Sequence, residues 1–282
     1  MIRSSCLCGG IAWEIEGPLE LMGHCHCSMC RKAHGSAFET GASTSAEKFR
    51  WIRGEELIRL YESHPGSHRG FCSRCGSVVP GVSVSNEGRV FISVGCLDDD
   101  PGTRPVAHIF IASMAPWQEI TDELPRFDAY PPGYGGEEIE RETLPPPRAG
   151  VLRGSCLCGG VAYETEGGLL RFRNCHCSRC RKARSAAYAS NLFVEPKGFL
   201  WTRGEDLLDT YEVPGAKRFL TIFCRVCGSS MPRTGLPEYV VIPAGSLDDD
   251  PGMRPEMHIF VGSKADWHEI TDDLPQHEEY PT

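Results

Sequence analysis

The sequence predicts an all-β chain in which one small domain with long loops is written twice. Three observations carry that expectation. Residue n matches residue n+150 over most of the 282 residues, short runs alternate apolar and polar side chains, and fifteen cysteines fall into recurring groups. Alternation with a period of two marks a strand with one buried face. A repeat this long exceeds any solenoid unit, so each copy reads as a domain. The expected division is residues 1–130, a linker at 131–150, and residues 151–282.

The copies open on SCLCGGIAWEIEG (5–17) and SCLCGGVAYETEG (155–167). Ile11, Trp13 and Ile15 alternate with Ala12, Glu14 and Glu16, which predicts a half-buried strand entered through Gly9 and Gly10. GHCHCSMCRKAHG (23–35) returns as RNCHCSRCRKARS (173–185), and the residues after Cys30 predict one helical turn at most. Trp51, Arg53, Gly54 and Tyr61 recur as Trp201, Arg203, Gly204 and Tyr211. FCSRCGS at 71 matches FCRVCGS at 223, so the second copy has gained two residues before its C-x-x-C. It loses two afterwards, because GCLDDDPG at 95 stands over GSLDDDPG at 245. RVFISVG at 89 and AHIFIAS at 107 predict further short strands, and residues 239–242 repeat the first of them. The DDDPG runs read as exposed turns. Prolines, glycines and charges without periodicity make residues 130–150 a linker, locally extended at Pro145–Pro147.

The formal net charge of -9 repels phosphate backbones, and no long run of Lys and Arg offsets it, so no nucleic-acid partner is expected. No stretch approaches the ~18 apolar residues of a membrane span. The opening residues lack the apolar core of a signal peptide, and the expected location is the cytoplasm. Cysteines there stay reduced, and so many of them point to metal.

Each copy carries C-x-C (Cys6, Cys8; Cys156, Cys158), C-x-C-x-x-C (Cys25, Cys27, Cys30; Cys175, Cys177, Cys180) and C-x-x-C (Cys72, Cys75; Cys224, Cys227). Cys96 is left over opposite Ser246 and reads as a packed thiol. Structural zinc takes four ligands, and seven thiols cannot close two such sites. The natural partition joins the two remote pairs into one four-sulfur site and leaves the triplet with three sulfurs. Three ligands and an open position is the arrangement of a catalytic zinc; a histidine in the fourth position would make the site structural instead. His24 is a poor candidate because the second copy has Asn174. His26 and His176 sit between two ligand cysteines and should point away on extended backbone. His108 and His258 recur on a predicted strand, where they reach the metal or orient a ligand.

The pattern SCLCGG, CHCSMCRK, FCSRCGS, LDDDPG and HIF resembles the glutathione-dependent formaldehyde-activating enzymes and the related centromere protein V group, over both copies. The resemblance implies a zinc-bearing β-tent in each domain. It implies a structural zinc on Cys6, Cys8, Cys72 and Cys75, with Cys156, Cys158, Cys224 and Cys227 as the second set. It also places the zinc associated with activity on Cys25, Cys27 and Cys30, and on Cys175, Cys177 and Cys180, giving about four zinc ions per chain. The implied chemistry is addition of the glutathione thiol to formaldehyde or a similar small aldehyde, a carbon–sulfur lyase type of reaction. Arg31, Lys32 and Arg53 are candidates to hold the glutathione carboxylates, against the plainer reading of solvated basic side chains. The competing function is a zinc-stabilised binding module without catalysis. His24, Gly35 and Ser36 against Asn174, Ser185 and Ala186 point to the first copy as the working one, through a proton-shuttling imidazole and close backbone approach to a ligand.

Overall fold

The computed structural model describes residues 1–81, 88–133, 145–217 and 219–281. Each copy begins with a three-stranded antiparallel sheet, Ile2–Ser5, Ala12–Ile15 and Phe49–Arg53 in the first and Leu152–Ser155, Ala162–Thr165 and Phe199–Arg203 in the second. Ile11, Trp13 and Ile15 are buried, as their alternation requires, and the Trp13 and Trp51 rings meet edge to face at 5.8 Å. A second sheet holds the strand that delivers each cysteine triplet. In the first copy its order is His108–Ile109, Glu20–Cys25, Glu39–Ser45, Arg89–Ser93, with the first pair parallel and His108 opposite His24. In the second copy Met257–Ile259 runs beside Leu169–Cys175 in the same register, with His258 opposite Asn174. The linker expectation falls mostly on residues outside those described.

The only α-helices among the described residues are α1 (Ser28–His34) and α2 (Ser178–Arg184). They are longer than the single turn expected and start inside the triplets, not after them. The reason is the cap. Cys27 Sγ accepts the Cys30 amide at 3.3 Å, and Cys177 Sγ the Cys180 amide at 3.4 Å, so sulfur takes the place usually held by Ser or Asp.

Beyond α1 and α2 the two copies grip each other reciprocally. Lys32 Nζ of α1 lies 2.6 Å from Asp248 Oδ1 and donates to Ser155 O and Oγ, both at 2.8 Å. Lys182 of α2 pairs with Asp98 and donates to Ser5. A Cβ on Gly245 would collide with the Arg31 carbonyl and the Ser36 amide, and one on Gly95 with Ser185 and Ala186. The Phe223 ring lies over Gly76, and Phe71 lies over Gly228, each at 2.6 Å from where a Cβ would be. Contacts that exchange i with j in this way are those of a two-fold interface. One continuous apolar core runs through both copies. The aspartate runs are thus not simple exposed turns: Asp98 and Asp248 reach across, while Asp99 and Asp249 take Arg3 and Arg153 of their own copy.

Lys32 and Asp248 are 8% and 9% exposed, so losing either strands a buried charge. Lys32→Met should cost about 3–5 kcal/mol of folding stability. Arg3→Ala removes a pair whose arginine is 70% exposed and screened by solvent, and should leave the unfolding midpoint almost unchanged. Urea titration of both variants checks this; equal costs would mean that the inter-copy pair holds nothing together.

Candidate metal centres

The C-x-C turn after the first strand and the C-x-x-C turn after the Ser67–Cys72 hairpin strand bring Cys6, Cys8, Cys72 and Cys75 together. The second copy gathers Cys156, Cys158, Cys224 and Cys227 likewise. Sulfur–sulfur distances of 3.4 and 3.8 Å in one, and 3.3 and 3.8 Å in the other, fall near the roughly 3.8 Å of a tetrahedron with Zn–S bonds of about 2.3 Å. Ile11 and Gly10 amides donate to Cys6 and Cys8 Sγ at 3.3 and 3.4 Å, orienting the sulfurs. Sulfurs this close share protons. Hydrogen bonding from Cys6 and its neighbours pushes the Cys75 thiol far down, while Cys72 and its neighbours push Cys6 far up. A divalent metal held by these four sulfurs would resolve the conflict by replacing the shared protons.

The triplets are built differently. Cys25 ends a strand, Cys27 caps α1 and Cys30 sits in its first turn, so backbone geometry alone aims three sulfurs at one point. Cys175, Cys177 and Cys180 do the same. Hydrogen bonds from Cys25 and Cys30 hold Cys27 well below the ordinary thiol range, and Cys175 and Cys180 bring Cys177 to about 3. No fourth Cys, His, Asp or Glu of the described residues joins either cluster. His26, between two ligand positions, turns away as expected. Its Nε2 lies 2.8 Å from His108 Nδ1, and His108 Nε2 lies 3.0 Å from both Asp122 oxygens. A carboxylate only accepts, so His108 donates from Nε2 and receives the His26 Nε2 proton. His176, His258 and Asp272 repeat the chain at 2.7 and 3.0 Å. His108 and His258 therefore engage His26 and His176 beside the triplets and join neither sulfur cluster.

The surroundings of the two triplets differ in charge. In the first copy Arg69 Nη1 and Nη2 stand 3.8 and 3.7 Å from Cys30 Sγ. Burial opposes the Arg69 charge, but Cys30, Glu39 and Cys27 more than restore it. Glu39 is buried yet held well below the usual carboxylate range: burial pushes it up, and His34, 3.3 Å away, and Arg69 more than offset that. The second copy has Thr221 where the first has Arg69 and Ala189 where it has Glu39. There Cys180 and Cys175 act on Arg184, which burial brings down to about 10 against their pull. Sequence reasoning missed Arg69, Glu39 and His34, because they come from separate strands and the helix end and show no motif.

The three basic residues expected around glutathione are not brought together. Lys32 is committed to Asp248. Arg53 donates from Nε to Gly9 O at 3.0 Å, at the C-x-C turn, as Arg203 does to Gly159 O at 2.7 Å. Arg31 follows Cys30 directly and donates to Ser113 O at 3.3 Å. Two arguments for the first copy change their meaning. His24 points to the opposite face of its strand from Cys25 and bonds Thr40 Oγ1 at 2.9 Å; burial holds it neutral, well below its ordinary value. Gly35 (φ 59°) ends α1 against Ser230 and Pro243 of the other copy, not against ligand space, and Ser185 (φ 49°) buries its Oγ on Val78 O. Ser36 Oγ donates to Tyr188 O at 2.6 Å, another inter-copy contact. Cys96 is fully buried against Ser185 Oγ, as a packed thiol; its counterpart Ser246 meets the Tyr163 hydroxyl at 2.7 Å, where the first copy has Trp13.

The family model for the glutathione-dependent formaldehyde-activating enzyme matches residues 1–113 and 151–263. The chain belongs to that family, with both copies as members. A search of the curated proteins finds no match. Among solved structures, a crystal structure of a Rhodobacter sphaeroides protein is 27% identical, with a TM-score of 0.28, covering 36% of this chain and 91% of that one.

Saturated with zinc, the protein should carry about four ions per chain by elemental analysis, one for each cysteine cluster; two or fewer would show that the triplets do not bind. Cys72→Ser should unfold its copy, because a structural site contributes its binding energy to folding. Cys27→Ser should leave the far-UV circular dichroism intact and lose a single ion. Equal unfolding of both variants would make both sites structural.

Proposed function

We propose that this member of the family is a zinc-dependent thiol-handling enzyme that adds glutathione thiolate to formaldehyde or a similar small aldehyde, with the working site at Cys25, Cys27 and Cys30. The observation that carries the reading is a preorganised three-sulfur cluster that no fourth donor of the described residues completes. Zinc on three sulfurs would leave a position for a substrate sulfur, and would favour the thiolate form that attacks carbonyl carbon. Three thiolates and a divalent ion carry a single net negative charge, a poor host for another thiolate. Arg69, in contact with Cys30 Sγ, supplies the compensating positive charge at that sulfur. Glu39 and His34 in turn hold Arg69 and each other in place without solvent. In the addition the sulfur–carbon bond forms as the carbonyl π pair moves to oxygen, which takes up the proton the thiol released. Of the basic residues, Arg31 beside Cys30 is the one the reading keeps for a glutathione carboxylate. Cys6, Cys8, Cys72 and Cys75, with Cys156, Cys158, Cys224 and Cys227, hold the fold.

The second triplet lacks the Arg69 and Glu39 counterparts, so the first is proposed as the active one. Cys27→Ser should abolish the catalysed formation of S-hydroxymethylglutathione from labelled formaldehyde, followed by carbon NMR above the spontaneous rate. Cys177→Ser should change it less than twofold, and Arg69→Met should slow it about tenfold or more. Half the activity in each cysteine variant would mean two equivalent sites. No catalysis by the fully zinc-loaded protein would favour the binding-module reading.

A further inference from the structure

The copies differ by cavity as well as by triplet. Two cavities flank the pseudo-two-fold axis, where Thr121 and Thr271 hydroxyls meet at 2.5 Å. One, of about 790 Å³, is lined by His24 and Phe38 of the first copy and Tyr188, Trp267 and His268 of the second. The other, of about 830 Å³, is lined by Asn174 and Tyr188 of the second copy and Trp117 and Gln118 of the first. They are repeat equivalents, since His24 corresponds to Asn174, Phe38 to Tyr188 and His268 to Gln118. His24 and His268, drawn from different copies, thus line the first cavity together with His26, His108 and His258, while Asn174 lines the second and Gln118 lines both.

The amide cavity satisfies itself. Asn174 Oδ1 accepts from Ser190 Oγ at 2.9 Å, Gln118 Nε2 donates to Glu119 O at 2.7 Å, and the Gln118 side chain also bonds the Tyr188 hydroxyl. The imidazole cavity does not. His268 is 9% exposed, and neither ring nitrogen bonds any described residue; it packs only on the Phe38, His176, Tyr188 and Trp267 rings. His24 uses Nδ1 on Thr40 and leaves Nε2 without a partner among the described residues. These nitrogens open onto the cavity and are not sealed in the core, so they are available to a donor that enters it. Burial keeps His268 neutral, near 3, so that it presents a lone pair and not a cation. Six carboxylates line the same cavity, Glu119, Asp122, Glu123, Asp266, Glu269 and Asp272. Of the two lining cations, Arg104 pairs with Asp100 at 2.8 Å, and Lys264 stays at the cavity on the His268 carbonyl, where its charge adds to burial in keeping His268 neutral.

We propose that this cavity is a binding site for a small organic ammonium with an apolar body. The ammonium donates to His24 and His268 and is drawn by the carboxylates, while the body lies against Phe38, Tyr188 and Trp267. His24 lies on the face of its strand opposite Cys25, and although His26 and His108 beside the triplet also line the cavity, a thiol-free ammonium probe reads its binding apart from the thiol chemistry. The test is calorimetric titration of the zinc-loaded full chain with benzylammonium, and with benzyl alcohol and benzoate as neutral and anionic isosteres. Benzylammonium should bind at least tenfold more tightly than either. The double variant H24N/H268Q installs the amides that the second cavity already tolerates and should weaken binding at least tenfold. Nitrogen NMR of the wild-type imidazoles adds a readout independent of any variant, with the His24 and His268 signals expected to move on titration. Absence of saturable benzylammonium binding, equal binding of benzoate, undiminished binding by the variant, or unmoved imidazole signals would each overturn the assignment.

Discussion

A lysine ammonium buried against an aspartate of the opposite copy is the constraint on which the rest of the structure depends. Lys32 and Lys182 lie on the short helices that carry the last cysteine of each triplet, and Asp248 and Asp98 lie on turns of the other copy. A seven-residue helix has little stability of its own. It is fixed at its start by a sulfur cap and further along by its lysine, buried on α1 and mostly buried on α2. Those two anchors hold in place the helix whose first turn gathers the triplet sulfurs, and the second anchor comes from the other copy. The glycines before the aspartate runs, Gly95 and Gly245, are the steric condition for the same contact, because any side chain there would push the helices away.

The reciprocal contacts also explain which sequence features recur. The Arg-Gly-Glu after each Trp strand is a turn device: Arg53 holds the Gly9 carbonyl, and Gly54 (φ 84°) lies against Gly10. The phenylalanine before each C-x-x-C covers the glycine after the opposite C-x-x-C. These residues repeat because the fold needs them twice. Of the residues that do not repeat, Arg69 and Glu39 stand at one triplet and His24 and His268 in one cavity, while Gly35, Ser36 and Cys96 sit in the contact between the copies.

Much of this was legible in the sequence. The half-buried strand at Ile11, the two four-sulfur sites and the two triplets follow from alternation and cysteine spacing, which are local signals. His26 turning away from the metal follows from strand geometry. The start of α1 was not legible, because a cysteine is not read as a cap residue. Lys32 and Asp248 were misjudged for a different reason. A lysine after a metal triplet and an acidic turn each look solvated alone, and only the second copy, 216 residues away, takes both out of water. Assigned to the nearest chemistry in sequence, the differences of His24 and Gly35 from Asn174 and Ser185 suggest a proton shuttle and a backbone approach to ligand. The strand pleat sends one of them to the other face, and the helix end sends the other into the interface.

Fusion of the two copies is what lets the sites differ. In a dimer of identical chains an isologous interface doubles every substitution, so an arginine gained at one triplet appears at both. Within one chain Arg69 can face Thr221 across the pseudo-axis, and Trp13 with Cys96 can face Tyr163 with Ser246. The same holds for a cavity whose walls come from both copies. His24 and His268 lie in different copies, so a symmetric assembly would place a histidine at all four equivalent positions and bury four imidazoles where this chain buries two. The amides Asn174 and Gln118 hydrogen-bond within the protein, whereas His24 and His268 leave ring nitrogens open to their cavity. A duplicated chain can therefore keep one part of its interface for folding while another part diverges.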